Sequence, residues 1–395
     1  MKEWKTYKVG DICSSISETY KSKSKSVVLI NTSDVLEGRC LNHEFVPNKD
    51  LKGQFKKVFK FGDILYSEIR PANKRFAYID FDATDYIAST KLMVLRNNDK
   101  VTNRFLYHYL KSESTIAELQ ALAESRSGTF PQITFSELSQ LEISIPDIET
   151  QLAISSFIDT LESKIELNRQ INDNLEQQLK LLYRSWFIEN KHPDSKEVCL
   201  SEIIYFQEGP GIRNWQYVEK DGIKFINIRC IEGGDINLTT ANMISEEEAN
   251  GKYAHFMLKP FDIIMSCSGT LGRYAIVRKE HLPLCLNTSV IRFSPNRSES
   301  DYSYIYGYLA SEEFLNKQVE MACGSVQANF GPTHLKQIKI IAPPIDYCKS
   351  YHTAAMPIIS KILENRREIQ YLGKLRDTLL PKLMSGELKI NEIDC

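Results

Sequence analysis

The chain has 395 residues and a formal net charge of −2, with 42% hydrophobic and 25% charged residues. This length is enough for two or three domains with their own cores, and the ordinary composition excludes a disordered or collagen-like chain. The near-neutral charge excludes a generally basic protein, so any nucleic-acid binding must depend on local patches of Lys and Arg.

The nine cysteines are scattered, with no C-x-x-C pair. An odd, unpatterned set is typical of reduced thiols in a cytosolic protein and predicts no zinc site. The N-terminal residues lack the apolar region of a signal peptide, and no apolar run approaches the length of a membrane span. The sequence therefore predicts a cytoplasmic protein without membrane association.

The first part of the chain has short apolar segments that are rich in β-branched and aromatic residues, as strands are. They lie at residues 27–30, 64–66, 76–79 and 92–95. Residues 103–122 carry aromatic and aliphatic side chains at helical spacing. This mixture predicts an α+β domain.

A long helix is predicted over residues 147–190, because apolar or selected polar residues recur there at steps of three and four. Such a seam is typical of a helix that packs on another helix in a coiled coil. A second seam follows 197 positions later and repeats the Asn-Arg pair. The seam residues of the two helices include Ile165, Asn168, Leu175 and Leu179, and Ile362, Asn365, Leu372 and Leu379.

The same displacement of about 197 residues relates the two halves outside the helices. Strand-like segments recur at residues 225–228, 263–265, 274–277 and 290–293, and a helical segment recurs at 302–319. The chain is therefore predicted to be one domain-plus-helix unit used twice. The alternative for the helices is that each packs only on its own domain.

We expect an α+β fold with two tandem α/β domains separated by a pair of long antiparallel coiled-coil helices, related by a pseudo-twofold axis. The predicted segments are a first domain at 1–146, a central helix at 147–192, a second domain at 193–343, and a C-terminal helix and tail at 344–395. At 1.5 Å per residue the central helix is about 60 Å long. Such a spacer suits double-helical DNA, whose grooves repeat about every 34 Å.

Basic residues in predicted loops are candidate phosphate contacts, because Lys and Arg neutralise the DNA backbone and release counterions. The alternative is an ordinary solvated surface. The candidates are Lys21, Lys23, Lys25, Lys56, Lys57, Arg70, Lys74 and Arg75 in the first half, and Arg213 in the second.

Two further segments in each half carry groups that can meet phosphates or base edges. One is the turn after a strand, at residues 67–75 and 266–273. The other is a small polar segment, at 127–132 and 324–329. Both are also common as plain hairpins or local loops. Their candidate contacts are Ser268, Thr270 and Arg273 in the turn, and Thr129, Gln132, Ser325, Gln327 and Asn329 in the polar segments.

Catalytic motifs are missing from the sequence. It contains no N-P-P-[YF], G-x-x-x-x-G-K-[ST], H-E-x-x-H or G-x-S-x-G pattern, and its seven His residues are dispersed. We therefore predict no catalytic residues, no metal site and no directly bound cofactor. A nuclease carboxylate cluster stays possible on sequence grounds, because its members need not be adjacent.

The order and duplication of these motifs resemble the specificity subunit of type I restriction–modification enzymes over essentially the full length. The resemblance is carried by residues 61–71, 268–273, 145–154, 161–169 and 379–388. It implies two target-recognition domains that each read one half of a bipartite DNA sequence, with helices that set the unread spacer. It also implies methyltransferase and restriction subunits as partners, with S-adenosylmethionine, ATP and Mg on those partners and no catalytic residue in this chain.

Two departures from the family pattern stand out. After Pro343-Pro344 the chain continues Ile345-Asp346-Tyr347-Cys348, without the usual acidic pair and Gln, and Arg376 stands where the first seam has Leu179. Two other functions are kept as alternatives: a stand-alone nucleic-acid-processing enzyme such as a nuclease, and a protein–protein scaffold without DNA binding.

Overall fold

The structure is a computed structural model that describes residues 4–49, 51, 53–125, 131–322 and 329–392. The chain divides into two units. Unit 1 comprises Met1–Ile165 and Gln370–Cys395, and unit 2 comprises Glu166–Ile369. Two long helices contribute residues to both units. The described part of the chain contains helices and sheets in both units, which confirms the α+β fold class with a repeated, β-rich unit.

In the described part of the first half there are twelve strands and four α-helices. The strands are β1 Lys5–Lys8, β2 Cys13–Ile16, β3 Ser26–Ile30, β4 Val35–Leu36, β5 Arg39–Cys40, β6 Phe45–Pro47, β7 Phe55–Lys57, β8 Ile64–Ser67, β9 Phe76–Tyr78, β10 Tyr86–Ser89, β11 Leu92–Asn97 and β12 Glu142–Ile145. The helices are α1 Asn103–Leu110, α2 Glu113–Glu124, α3 Phe135–Leu138 and α4 Ile148–Tyr183.

The second half has the same number of described strands and two additional short helices, α5 (Leu200–Ile203) and α6 (Glu246–Asn250). Its strands are β13 Lys196–Cys199, β14 Ile204–Glu208, β15 Tyr217–Val218, β16 Gly222–Ile226, β17 Ile231–Glu232, β18 Asp235–Ile236, β19 Asn242–Ser245, β20 Ile263–Ser266, β21 Tyr274–Ile276, β22 Leu284–Leu286, β23 Val290–Pro295 and β24 Lys339–Ala342. Its helices are α5 Leu200–Ile203, α6 Glu246–Asn250, α7 Tyr302–Leu309, α8 Glu312–Ala322, α9 Pro332–Leu335 and α10 Ile345–Ser385, and a π-helical turn at Arg184–Glu189 continues α4.

The repeat is visible in the sheet topology. An antiparallel sheet has the order β2-β11-β8-β9 in unit 1 and β14-β23-β20-β21 in unit 2. A second, mixed sheet contains the parallel pair β3–β10 in unit 1 and the parallel pair β16–β22 in unit 2. A two-stranded antiparallel pair closes each unit, β1 with β12 and β13 with β24.

The two segments with helical spacing each consist of two helices. Ser112 ends the first helix and caps the second, since its Oγ accepts a hydrogen bond from the Thr115 N–H at 3.3 Å. Ser311 does the same for Phe314 in unit 2, at 3.2 Å. A serine at an N-cap satisfies the donors that a new helix leaves without partners, so it favours a break over continuation.

The long helices pack both on the domain cores and on each other. In unit 1, Ile154 and Ile158 of α4 share a buried cluster with Leu380 and Leu383 of α10. In unit 2, Leu179 and Tyr183 share another with Tyr351 and Ile359. Within each unit the two helices therefore run antiparallel, because later residues of α4 contact earlier residues of α10.

Polar contacts tie this helix pair at defined positions. In unit 2, Asn168 donates to Glu368 at 2.8 Å and Asn365 donates to Asn172 at 2.9 Å. In unit 1, Arg376 lies 3.5 Å from the carboxylate of Glu162, which explains why an arginine is accommodated there. The eight predicted seam residues are all buried or half-buried.

Helix α4 is anchored at its start by a buried glutamine. The Gln151 side chain donates to the carbonyl oxygens of Lys100 and Pro146 and accepts from the Thr102 N–H. All of its hydrogen-bonding groups are thus used to hold the helix to the loop before α1. Among the described residues, no helix is both long enough and apolar enough to cross a membrane.

Candidate nucleic-acid interface

The turn between β8 and β9 carries three basic residues on an unusual backbone. Arg70 has φ 44° and Lys74 has φ 53°, so both lie in the left-handed region that favours glycine. A non-glycine residue in this region is strained, and such residues cluster at functional sites. Arg70 is exposed. Lys74 forms an ion pair with Glu113, and Arg75 donates to the Ser33 carbonyl oxygen at 3.1 Å.

This turn lies directly against the polar segment before α3. Ile69 and Gln132 form an isolated antiparallel bridge. The Arg70 N–H donates to the Pro131 carbonyl oxygen at 3.1 Å, and the Ile133 N–H donates to the Glu68 carbonyl oxygen at 2.9 Å. The structure therefore brings Arg70 and Gln132 together, although they are far apart in sequence. Thr129 lies outside the described residues.

Lys91 and Glu68, which sequence reasoning missed, extend this surface. The Lys91 ammonium lies 3.4 Å from the Gln132 side-chain oxygen and 3.6 Å from the Glu68 carboxylate. Lys91 stands between β10 and β11, directly after Ser89-Thr90, which corresponds to Asn287-Thr288 before β23 in the second half of the repeat. That position was the signal that could have identified it.

The lysine candidates differ in their surroundings. Lys21, Lys23 and Lys25 are exposed in the loop before β3, and Lys56 is exposed on β7. The Tyr20 N–H donates to the Lys56 carbonyl oxygen at 2.8 Å, so the loop begins beside that strand.

Lys57 is held inside unit 1. Its ammonium donates to the carbonyl oxygens of Thr90 at 3.0 Å and Leu92 at 2.8 Å, and burial lowers its pKa. These hydrogen bonds give Lys57 an internal role, in joining β7 to the turn between β10 and β11. Lys57 is therefore not part of the proposed interface.

Unit 2 repeats the juxtaposition of turn and polar segment. Ser268 and Asn329 form an isolated antiparallel bridge, and the Phe330 N–H donates to the Cys267 carbonyl oxygen at 2.8 Å. Thr270 and Arg273 are exposed. Ser325 and Gln327 lie outside the described residues.

Glycines occupy the left-handed positions of the second turn. Gly269 has φ 67° and Gly272 has φ 79°. When the flanking strands are aligned, these positions match Arg70 and Lys74 of the first turn. Unit 1 thus places two cationic side chains where unit 2 places none, although the backbone path is shared.

Arg213 lies on an ordered loop between β14 and β15. Its N–H donates to the Gln216 side-chain oxygen at 2.9 Å, and the Gln216 amide donates to Glu248 at 2.8 Å and to the Tyr253 hydroxyl at 3.1 Å. The neighbouring Trp215, which sequence reasoning missed, is 80% exposed. An anchored turn therefore presents an indole and a guanidinium to solvent.

A cluster of ionisable residues in unit 1 has the ligand types of a metal site: His108, Asp159 and Glu162. His108 Nε2 lies 2.9 Å from Asp159, and Arg104 donates to the other oxygen of Asp159 at 2.9 Å. Lys111 is paired with Glu162. Two adjacent cationic side chains oppose a bound cation, so the arrangement is better explained as an ionic link between α1 and α4.

The protonation of this cluster follows from its burial and its partners. Burial lowers the pKa of His108, against the opposing effect of the Asp159 hydrogen bond. Burial opposes ionisation of Asp159, but hydrogen bonds from His108 and Arg104 outweigh it and hold the pKa of Asp159 below its usual value. At neutral pH the link therefore consists of a neutral imidazole and an ionised carboxylate.

Comparison with known proteins gives consistent matches. The family model described as "Type I restriction modification DNA specificity domain" matches residues 1–177 and 193–373. The HindI specificity subunit of Haemophilus influenzae is 30% identical, over 98% of this chain and 100% of that protein. The MjaIX specificity subunit of Methanocaldococcus jannaschii is 24% identical, over 88% of this chain and 82% of that protein.

A solved structure shares the fold. The type I restriction–modification S subunit from M. genitalium superposes with a TM-score of 0.54 at 19% identity, covering 97% of this chain and 96% of that one. The two matched ranges of the family model correspond to the two halves of the internal repeat.

Proposed function

The chain belongs to the type I restriction–modification DNA specificity family, and from this premise we propose that each unit reads one half of a bipartite DNA target through its paired turn and polar segment. The protein is a noncatalytic DNA-recognition subunit that assembles with methyltransferase and restriction subunits. The comparisons do not support a stand-alone nuclease or a scaffold without DNA binding.

One observation carries the assignment of the reading surface. In both units the turn after an antiparallel strand is bridged to a distant polar segment, by Ile69 and Gln132 in unit 1 and by Ser268 and Asn329 in unit 2. Amide side chains pair with base edges, and exposed basic residues meet phosphates. Each bridge therefore places an amide that can pair with a base edge beside residues that can contact the phosphate backbone of DNA.

The proposed contacts differ between the units. In unit 1 they are the base-edge contact Gln132, the turn residues Arg70 and Lys74, and the exposed lysines, to which Lys91 is added. In unit 2 they are Asn329, Ser268, Thr270, Arg273 and Arg213. Arg75 supports the turn through its bond to Ser33. Since unit 1 carries more cations in its turn, it is expected to supply more of the salt-dependent affinity.

We retain the boundaries 1–146, 147–192, 193–343 and 344–395 as the functional segments. The two long helices would set the unread spacer between half-sites as a pseudo-twofold pair. The specificity subunit itself uses no catalytic cofactor. S-adenosylmethionine, ATP and Mg would be bound by the partner subunits, and the complex would act in the cytoplasm, where its DNA substrate lies.

The test is a map of methylated sites in cells that contain the methyltransferase subunit and either the native chain or a variant. Gln132→Ala and Asn329→Ala should each relax or change the methylated motif in one half only, with the other half and the spacer unchanged. Ser201→Ala, in an exposed position of α5, is the control. If both variants leave the motif intact, the bridged amides do not read bases; if no motif depends on this chain, the recognition role itself is wrong.

A further inference from the structure

Unit 2 contains an aromatic cavity whose lining includes none of the proposed DNA contacts. It has a volume of about 100 Å³ and lies between the π-helical end of α4, helix α7 and strand β24. Aromatic side chains form its floor, and the segment that leads to β13 forms its rim. The residues that matter here are Tyr183, Phe187, Tyr304 and Tyr308 on the floor, and Lys191 and Ser195 on the rim.

The internal repeat explains why the cavity exists. Lys5 pairs with Ile145 in unit 1 as Lys196 pairs with Ala342 in unit 2. The residue before each strand is therefore equivalent, and these residues are Trp4 in unit 1 and Ser195 in unit 2.

In unit 1 the equivalent space is occupied by the chain itself. Trp4 and Leu388 both pack against the buried core cluster of that unit. A Cβ added to Gly386 would lie 2.8 Å from the Trp4 indole, so the ring is closely fitted. The position equivalent to Leu388 in unit 2 is Lys191. Unit 2 therefore has Ser195 in place of Trp4 and Lys191 in place of Leu388. Neither of these side chains fills the cavity.

The size and lining of the cavity define what it can accept. A cavity of about 150 Å³ lined by apolar side chains holds a benzene ring, so this one, which is open at one side, suits a single aromatic ring inserted from outside. Tyr308 is 1% exposed, and its hydroxyl has no hydrogen-bond partner among the described residues. A buried hydroxyl of this kind is costly unless an occupant or water satisfies it.

The rim favours a negative charge next to that ring. Within the described part of the chain, the exposed Lys191 has no ion-pair partner. The acidic group at the rim, Glu313, is already bound to Lys317 at 2.6 Å. The His192 ring packs on Tyr347, with 5.1 Å between ring centroids. Asp194, which follows the rim towards Ser195, lies 3.8 Å from His192 Nδ1. The Lys191 ammonium is thus the rim group that can meet an anion beside the aromatic floor.

We propose that this cavity receives one aromatic side chain of the methyltransferase subunit, next to an acidic residue whose carboxylate meets Lys191. The proposal rests on the recognition role given above. A protein side chain is the occupant because a tryptophan of the chain itself fills the equivalent space in unit 1. The methyltransferase subunit is the partner because a noncatalytic reader directs methylation only if the enzyme is fixed to it rigidly.

The first experiment uses N-acetyl-L-tryptophan as a probe, with binding to the full chain followed by saturation-transfer NMR. The native chain should bind it about fivefold more tightly than N-acetyl-L-tryptophanamide, because only the acid carries a charge for Lys191. Lys191→Gln should remove that preference. Ser195→Trp places a tryptophan at the position of Trp4 in unit 1 and should abolish binding of both probes. Ser201→Trp, on the exposed face of α5, should not.

The second experiment measures assembly with purified methyltransferase subunit. Ser195→Trp and Lys191→Glu should weaken the complex at least tenfold, while Ser201→Trp and binding of target DNA to the chain alone stay at the native level. Probe binding that survives Ser195→Trp, or undiminished assembly of both variants, would overturn the proposal. Loss of DNA binding by the native chain would instead count against the recognition role. Lys191→Glu keeps the test valid if the bulky tryptophan prevents folding.

Discussion

The side-chain amide of Asn365 on α10 donates a hydrogen bond to the side-chain carbonyl oxygen of Asn172 on α4, with 2.9 Å between the two atoms. Both residues are buried, and Asn172 donates in turn to the Ile362 carbonyl oxygen at 3.3 Å. A polar pair of this kind in a helix seam lowers stability relative to an apolar pair but fixes one register, because slippage leaves the amides without partners.

Replacing Asn365 by alanine should lower the free energy of unfolding by about 1–3 kcal/mol, since it leaves the Asn172 oxygen buried without that donor. Urea denaturation of the full chain measures the change. Gln177→Ala, at an exposed position of α4, should change it by less than about 0.5 kcal/mol. Replacing both asparagines by leucine should recover stability. A single variant as stable as the control would show that the pair has no energetic role.

Arg70→Gly should raise the free energy of unfolding but weaken DNA binding. Glycine relieves the left-handed strain at φ 44°, which is worth about 1–3 kcal/mol, less the entropy that glycine adds to the unfolded chain. Removing the guanidinium should weaken DNA binding and reduce the slope of log affinity against log salt by about 1 if the residue meets a phosphate.

Thermal unfolding and salt-dependent DNA binding together check this prediction. Lys5→Gly, exposed on β1, is a matched loss of charge at a position without left-handed strain, and it should leave DNA binding unchanged. Equal DNA affinity of Arg70→Gly and the native chain at low salt would remove the turn from the interface.

The buried link between α1 and α4 predicts a loss of stability in mild acid. Burial lowers the pKa of His108 below its ordinary value of 6.5, so the unfolded chain binds a proton at a higher pH than the folded chain does. The free energy of unfolding should therefore fall as the pH drops below about 6.5. The pKa of Asp159 is lowered from 3.8, so its contribution is present above that pH and is lost only in stronger acid.

His108→Gln keeps a donor for Asp159 without a titrating ring. Between pH 7 and pH 5, the unfolding temperature of this variant should fall less than that of the native chain. At pH 7 itself the variant is expected to unfold at a lower temperature than the native chain. The other charged groups around the site stay the same in both proteins: Arg104, Lys111, Glu162 and Arg376. His255→Gln, at an exposed position, should follow the native profile. Parallel profiles for the native chain and His108→Gln would assign the acid sensitivity to other groups.

Apolar segments rich in β-branched and aromatic residues predicted the strands that lie almost wholly within the core. The predicted strands at 64–66, 92–95, 263–265 and 290–293 lie within β8, β11, β20 and β23 of the antiparallel sheets. The parallel pairing of β3 with β10 and of β16 with β22 was not predicted, because it joins segments far apart in the chain. The breaks at Ser112 and Ser311 were also missed, since capping depends on one hydroxyl and leaves the apolar spacing unchanged.

The candidate site was harder to predict, because residue type alone does not show whether a side chain is exposed or which distant residues it contacts. Lys57 was grouped with the exposed Lys56, yet its ammonium donates to the carbonyl oxygens of Thr90, in the turn after β10, and Leu92, the first residue of β11. The juxtaposition of Arg70 and Gln132 requires the bridge between Ile69 and Gln132, which no local pattern announces. Trp215 went unnoticed because its exposure depends on how Gln216 anchors the loop.

At Gly307 the two units fill the space between α7 or α1 and the long helix with different pairs of side chains. Gly307 corresponds to His108 on α1, and a Cβ added to it would lie 2.5 Å from the Tyr183 ring. In unit 1 the residue equivalent to Tyr183 is the smaller Leu380, which leaves room for the imidazole. Gly307→Ala should therefore destabilise unit 2 by about 1–3 kcal/mol through overpacking.

Combining Gly307→Ala with Tyr183→Leu should restore part of this loss, because the smaller side chain makes room for the added methyl group. The sum of the two single changes should then exceed the effect of the double variant by at least about 0.5 kcal/mol. Gly373→Ala on α10, where an added Cβ meets no atom within 4 Å, should instead stabilise the chain by up to about 1 kcal/mol through helix propensity. Strictly additive effects of Gly307→Ala and Tyr183→Leu in urea denaturation would show that the ring and the glycine do not share this space.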